Sequence, residues 1–148
     1  MWQKSYEAKT QEVRAEQVWA VISDINHWHE WDQAIEYAKL SGKFQTGAIF
    51  ELKPQKGPKV QIEILECVAP YRFVDLTRFP GAKMINEHNL SYDESGALVL
   101  KTTCSVTGPL GFLWRKLVAE GIARDFPIDT QKQIAAAKKR PLNSSHAV

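Results

Sequence analysis

The segment ALVLKTTCSVT at residues 97–107 runs directly into GPLGFLWRKLVAEG at 108–121, and the change of period between the two decides the fold. In the first segment Leu98, Leu100 and Val106 share one face while Lys101 takes the other, the period of two of a half-buried strand. Beyond Gly108 the apolar residues Leu110, Trp114, Leu117, Val118 and Gly121 form a stripe at helical spacing. Pro109 sits at the first helical position, where its missing N–H costs nothing. Pro127 removes the hydrogen bond to the Ala123 carbonyl, yet helical composition resumes from Ile128 to Lys139. One long, kinked helix is therefore expected over Pro109 to Lys139.

Upstream, residues Trp2 to Thr10 read as a strand, with Trp2, Tyr6 and Ala8 on one face. Ala15, Val18, Trp19 and Ile22 fall on one face of a short helix that Asp24 stops, and Asn26 is placed to cap a second, carrying Trp28, Trp31 and Ile35. Period two then returns in six candidate strands: 34–42, 46–54, 58–69, 71–79, 82–93 and 97–107. Their links carry turn chemistry, as in Pro80-Gly81 and Asp93-Glu94-Ser95-Gly96, and links this short join antiparallel neighbours. The expected fold is α+β: a curved, seven-stranded antiparallel meander, two short helices after its first strand, wrapped around the long C-terminal helix.

Composition narrows the function. The chain has 148 residues, 44% apolar and 24% charged, with a net charge of +2. That is one domain's length with an ordinary core, and no field strong enough to call for nucleic acid. Lys138, Lys139 and Arg140 end the last helix, where they oppose its dipole. No apolar run is long enough to span a bilayer and Met1-Trp2-Gln3-Lys4 is not a signal peptide, so the expected compartment is the cytoplasm. Cys67 and Cys104 have no metal-ligand spacing, and the strand assignments put them on opposite faces as reduced thiols.

With even-numbered positions inward on most strands, the inner set is Tyr6, Phe50, Leu52, Ile62, Ile64, Val68, Met84, Leu90, Leu98, Leu100 and Val106. The strand over 71–79 resists this rule, because Phe73 and Phe79 contradict Val74 and Leu76, and its facing stays open. On the apolar face stand four polar residues: Asn86, His88, Tyr92 and Thr102. They either satisfy one another or line a cavity, since burying an unpaired polar group costs a few kcal/mol. The ligand-contacting set expected is Phe50, Ile64, Met84, Asn86, His88, Tyr92, Thr102, Trp114, Leu117 and Gly121. His88 is the candidate for proton transfer, with Tyr92 or Asn86 holding an oxygen. His27, His29, Glu30 and Asp32 look like metal ligands, but their side chains diverge on a helix whose buried side belongs to Trp28 and Trp31, so no metal is expected.

The stretch Ala15-Glu16-Gln17-Val18-Trp19-Ala20-Val21-Ile22-Ser23-Asp24, followed by Trp28 and Trp31, resembles the opening helix pair of the START-like (SRPBCC) helix-grip superfamily, in its polyketide cyclase/dehydrase and lipid-transport branch. Gly42 and Gly47, Pro70, and Gly108-Pro109-Leu110 agree with it, and the likeness covers residues 2 to 139. It implies one START-like ligand-binding domain over residues 1–140, and the residues after the last helix, 141–148, read as a flexible tail. It further implies a hydrophobic small molecule as partner (a lipid, quinone or polyketide), with room for transient membrane contact, and no cofactor. Two alternatives stay open: a cyclase or dehydratase acting in the same cavity, and a protein-interaction module. No catalytic residue carries over, because fold likeness supplies none.

Overall fold

The computed structural model describes residues 1–141. Strand β1 (Trp2–Thr10) leads to helix α1 (Ala15–Ile22) and a 3₁₀ turn (Ile25–Glu30). There follow β2 (Ile35–Lys39), β3 (Ile49–Pro54), β4 (Val60–Val68), β5 (Arg72–Phe79), β6 (Ala82–Tyr92) and β7 (Leu98–Thr107). The chain ends in a helix of several pieces: α2 (Gly111–Trp114), a π segment (Arg115–Ala119), α3 (Glu120–Arg124) and α4 (Phe126–Lys138). All neighbouring strands are antiparallel, in the order β1-β7-β6-β5-β4-β3-β2. The helix-grip architecture expected from the change of period at Gly108 is the one observed.

The turn at that change depends on glycine. Gly108 adopts φ +112°, and a Cβ there would lie 2.6 Å from the Gly81 carbonyl oxygen. That carbonyl accepts the Leu110 N–H, so the start of the helix is tied to the β5–β6 turn. The helix begins at Gly111, two residues later than expected.

Three local departures shift residues off their expected faces. In β4 the pairing with β5 slips between Ile64 and Glu66, a bulge that reverses the alternation beyond it. Cys67 consequently turns to the core and Val68, expected inside, is 53% exposed. Both cysteines thus lie on the inner face and not on opposite faces, each as a free thiol. In β5 both faces are covered: Phe73, Asp75 and Thr77 are buried inward, Val74 and Leu76 outward. On the outer side the stems of Arg72, paired with Glu66 and Glu87, and of Arg78, paired with Glu63, flank the two aliphatics.

In the last helix the π segment inserts a wider turn and rotates all that follows. The buried stripe is Ala119, Ala123, Phe126, Thr130, Ile134 and Ala137, while Leu117 is 64% exposed. Pro127 occupies the first turn of α4, directly after a break at Asp125. Pro127 thus stands at the start of a new helix and not at a kink within one continuous helix, although helical structure does resume there.

Asn26 caps nothing. Its side chain instead accepts from the Leu40 N–H at 2.8 Å and donates to the Leu40 carbonyl, pinning the end of β2. At the far end of α4, Lys138 reaches Glu12 at 2.6 Å and Arg140 reaches Asp24 at 2.9 Å. Gln17 donates to the carbonyls of Ala137 and Arg140, so the last turn is stitched to α1. The tail expected after Pro141 lies outside the described residues.

Candidate functional site

The packed interior is divided in two. One cluster joins α1, the far half of α4 and the sheet through Val13, Val18, Phe50, Leu90, Leu100 and Ile134. The other joins Met84, Cys104 and Val106 to Ala119, Ala123 and Phe126. Along β6 the inward residues run Met84, Asn86, His88, Leu90, and along β7 they run Val106, Cys104, Thr102, Leu100. Apolar rungs therefore bracket a polar band on the inner face. Thr130, between Phe126 and Ile134, is the buried polar residue of the helix stripe.

Strand register brings the band together. Thr102 lies opposite His88, and His88 opposite Phe73; one rung along, Asn86 lies opposite Asp75. Asp75 comes from β5, the strand whose facing the sequence left open. Asp75 is 7% exposed, and its carboxylate accepts a long hydrogen bond from Asn86 Nδ2 at 3.4 Å and lies 3.6 Å from His88 Nε2. Phe73 stacks on the imidazole at 5.2 Å and 13°. Burial and the Asp75 charge push the Cys104 thiol up to about 12, so it stays protonated. Among the described residues Asn86 Oδ1 is buried without a hydrogen-bond partner, a state that costs about 1–3 kcal/mol.

The band is not sealed. Asn86 and Thr102 are only half-buried and the His88 side chain keeps 23% of its surface, although all three face the helix. All three occupy inward positions of the sheet, so the band is a partly accessible polar patch on an otherwise apolar inner face. Two concavities open away from the band: one beside α4 along Pro127, Ile128, Gln131, Lys132 and Ala135, the other on the outer sheet face around Val60, Leu76 and Arg78.

Of the expected ligand contacts, the structure gathers Asn86, His88 and Thr102 and adds Asp75. The others have different work. Phe50, Ile64 and Met84 are closed core, at 1%, 0% and 5% exposure. Tyr92 accepts the Ala15 N–H at 2.8 Å under the Arg14 guanidinium, anchoring the start of α1. Trp114 stacks on Phe79 and donates to the Pro80 carbonyl at the sheet's end. Leu117 is exposed, and a Cβ on Gly121, which is half a turn from Ala119 and Ala123, would meet nothing within 4 Å. The π segment explains both, because the stripe was extrapolated through it.

The histidine-rich turn is otherwise engaged. His27 Nδ1 lies 2.7 Å from Asp24, whose carboxylate raises the imidazole's pKa through that hydrogen bond and its charge. Asp32 accepts the Ala34 N–H and faces Lys132 at 3.6 Å. Among the described residues no three His, Cys, Asp or Glu side chains converge as metal ligands, and no helix is long and apolar enough to cross a membrane.

The fold is shared widely. A hypothetical protein from Helicobacter pylori superposes with TM-score 0.73 at 12% identity, over 92% of this chain and 88% of that one. Truncated norcoclaurine synthase from Thalictrum flavum gives 0.69 at 14% identity, over 96% and 94%. The same enzyme in complex with dopamine and hydroxybenzaldehyde gives 0.67 at 14% identity, over 93% and 84%. No protein of curated function matches the chain in sequence. The model of one family, polyketide cyclase / dehydrase and lipid transport, matches residues 3–139, and the chain belongs to that family.

Proposed function

We propose that the protein binds a hydrophobic small molecule, such as a lipid, a quinone or a polyketide, in the cleft between sheet and helix. The polar end of that molecule meets the band of Asp75, Asn86, His88 and Thr102. One observation carries the reading: the core is interrupted across three adjacent strands by inward polar groups, of which Asn86, His88 and Thr102 on β6 and β7 keep accessible surface while Asp75 on β5 is buried beside them. A packed core gains nothing from such a band, whereas a ligand site needs apolar walls with a few polar groups. Norcoclaurine synthase, similarly folded, has been solved with dopamine and hydroxybenzaldehyde, which supports an architecture able to accept small aromatic molecules. A native mass spectrum of protein isolated from its own host tests the proposal. A retained small molecule is expected, released on denaturation; a clean apoprotein that also binds no apolar probe would defeat it.

The placement of Asp75 favours a second reading, an enzyme of the cyclase or dehydratase type. A carboxylate facing His88 Nε2 favours a proton on that nitrogen and leaves Nδ1 free to accept one. In that reading His88→Gln lowers turnover of a bound ketone or polyketide by about 10²–10⁴-fold with little loss of binding. As a plain anchor, the same change weakens binding modestly and leaves the ligand unaltered.

A further inference from the structure

The polar band has a definite polarity, and it concerns what the ligand must offer. Asn86 Nδ2 is turned to the Asp75 carboxylate. The opposite amide orientation would set Oδ1 against that negative charge, so electrostatics fixes Oδ1 on the far side. There it is buried and, among the described residues, unpaired. Phe73, across the strand from His88, has no polar hydrogen to give. His88 Nε2 lies 3.6 Å from the Asp75 carboxylate, and in the neutral tautomer with its hydrogen on Nε2 the other ring nitrogen, Nδ1, is a second acceptor. The Thr102 hydroxyl on the same band can donate, yet the buried polar atom left without a partner among the described residues, Asn86 Oδ1, is an acceptor.

We infer that the cognate ligand carries a hydroxyl donor, phenolic or enolic, on an apolar body and gives that hydrogen to Asn86 Oδ1. An ester, an ether or a bare ketone has only acceptors and would leave the Asn86 oxygen unmatched. This inference rests on the cleft reading and adds the chemical class of the ligand to it.

The test compares two fluorescent probes of nearly equal size, 2-naphthol and 2-methoxynaphthalene, titrated into the wild-type protein. Blocking the hydroxyl removes the donor and keeps the apolar body. The expected result is binding of 2-naphthol about tenfold tighter or more, since an unmatched buried acceptor is worth roughly that factor. In Asn86→Ala, with a melting curve as control for folding, the preference should fall toward parity. Equal binding of both probes by the wild type would overturn the inference and leave the cleft standing. Saturable binding of neither would overturn the cleft and the inference together. The wild-type comparison decides even where the variant fails to fold.

Discussion

If the π segment sets the phase of the C-terminal helix, two substitutions two residues apart should act in opposite directions. Gly121 lies on helix backbone, and a Cβ there meets nothing within 4 Å. Gly121→Ala should therefore gain helix propensity without a clash, about 0.8–1 kcal/mol. Ala119 is fully buried in the cluster with Met84, Cys104, Val106 and Phe126. Ala119→Leu adds three carbons where there is no room, and overpacking of this kind costs about 1–3 kcal/mol. For 148 residues, 1 kcal/mol corresponds to a Tm shift of about 3 °C. Calorimetry should then show Gly121→Ala melting about 2–3 °C higher and Ala119→Leu about 3–9 °C lower. A Gly121→Ala protein that melts several degrees lower, beside a neutral Ala119→Leu, would mean that the helix presents its other face and that the buried stripe is misassigned.

Asp129 should couple stability to pH. Burial, with Asp32 and Asp125 nearby, raises its carboxyl to about 6, above the ordinary 3.8. A carboxyl that holds its proton more tightly in the fold contributes stability below about pH 4, and that contribution is lost as pH rises through about 6. Asp129→Asn should thus stabilise at pH 7.5, by about 1 kcal/mol after solvent screening, and not at pH 4. Urea unfolding at the two pH values checks this, and an equal gain at both would contradict it. The cysteines should separate by reactivity, because Cys104 is fully buried with its thiol pushed up to about 12, while Cys67 is half-buried and raised less. Mass spectrometry after brief alkylation of the native protein should find Cys67 modified first, and Cys104 labelled as fast would count against the packing of the second cluster.

The fold was legible where one face of an element is wet. The alternation through β3, β6 and β7 placed Phe50, Met84, Leu90, Leu98, Leu100 and Val106 inside, and all six are buried. Polarity on that face also revealed Asn86, His88 and Thr102, because a polar residue at an inward position stands out against its neighbours. Legibility failed where the period breaks or carries no contrast. The β4 bulge exchanged Cys67 and Val68, and no residue type announces an inserted position. Strand β5 is covered on both faces, so alternation gave no contrast and Asp75 went unassigned. A carboxylate on a strand reads as solvent-facing until its neighbours are known, and only the register with Asn86 and His88 gives it a role. The π segment did the same to the helix, where a strict 3.6-residue count carried the stripe from Trp114 onto Leu117 and Gly121. Tyr92 was missed for a different reason: its partner, the Ala15 N–H, is 77 residues away in sequence.

The central claim is that a ligand occupies the polar cleft rather than either outer hollow. The most direct measurement is a two-dimensional amide NMR titration of labelled protein with 2-naphthol. The account predicts saturable shifts at the amides of Asp75, Asn86, His88, Thr102 and Thr130. Shifts confined to Val60 and Leu76 on the outer sheet, or to Ile128 and Ala135 beside α4, would contradict it, as would the absence of any saturable change.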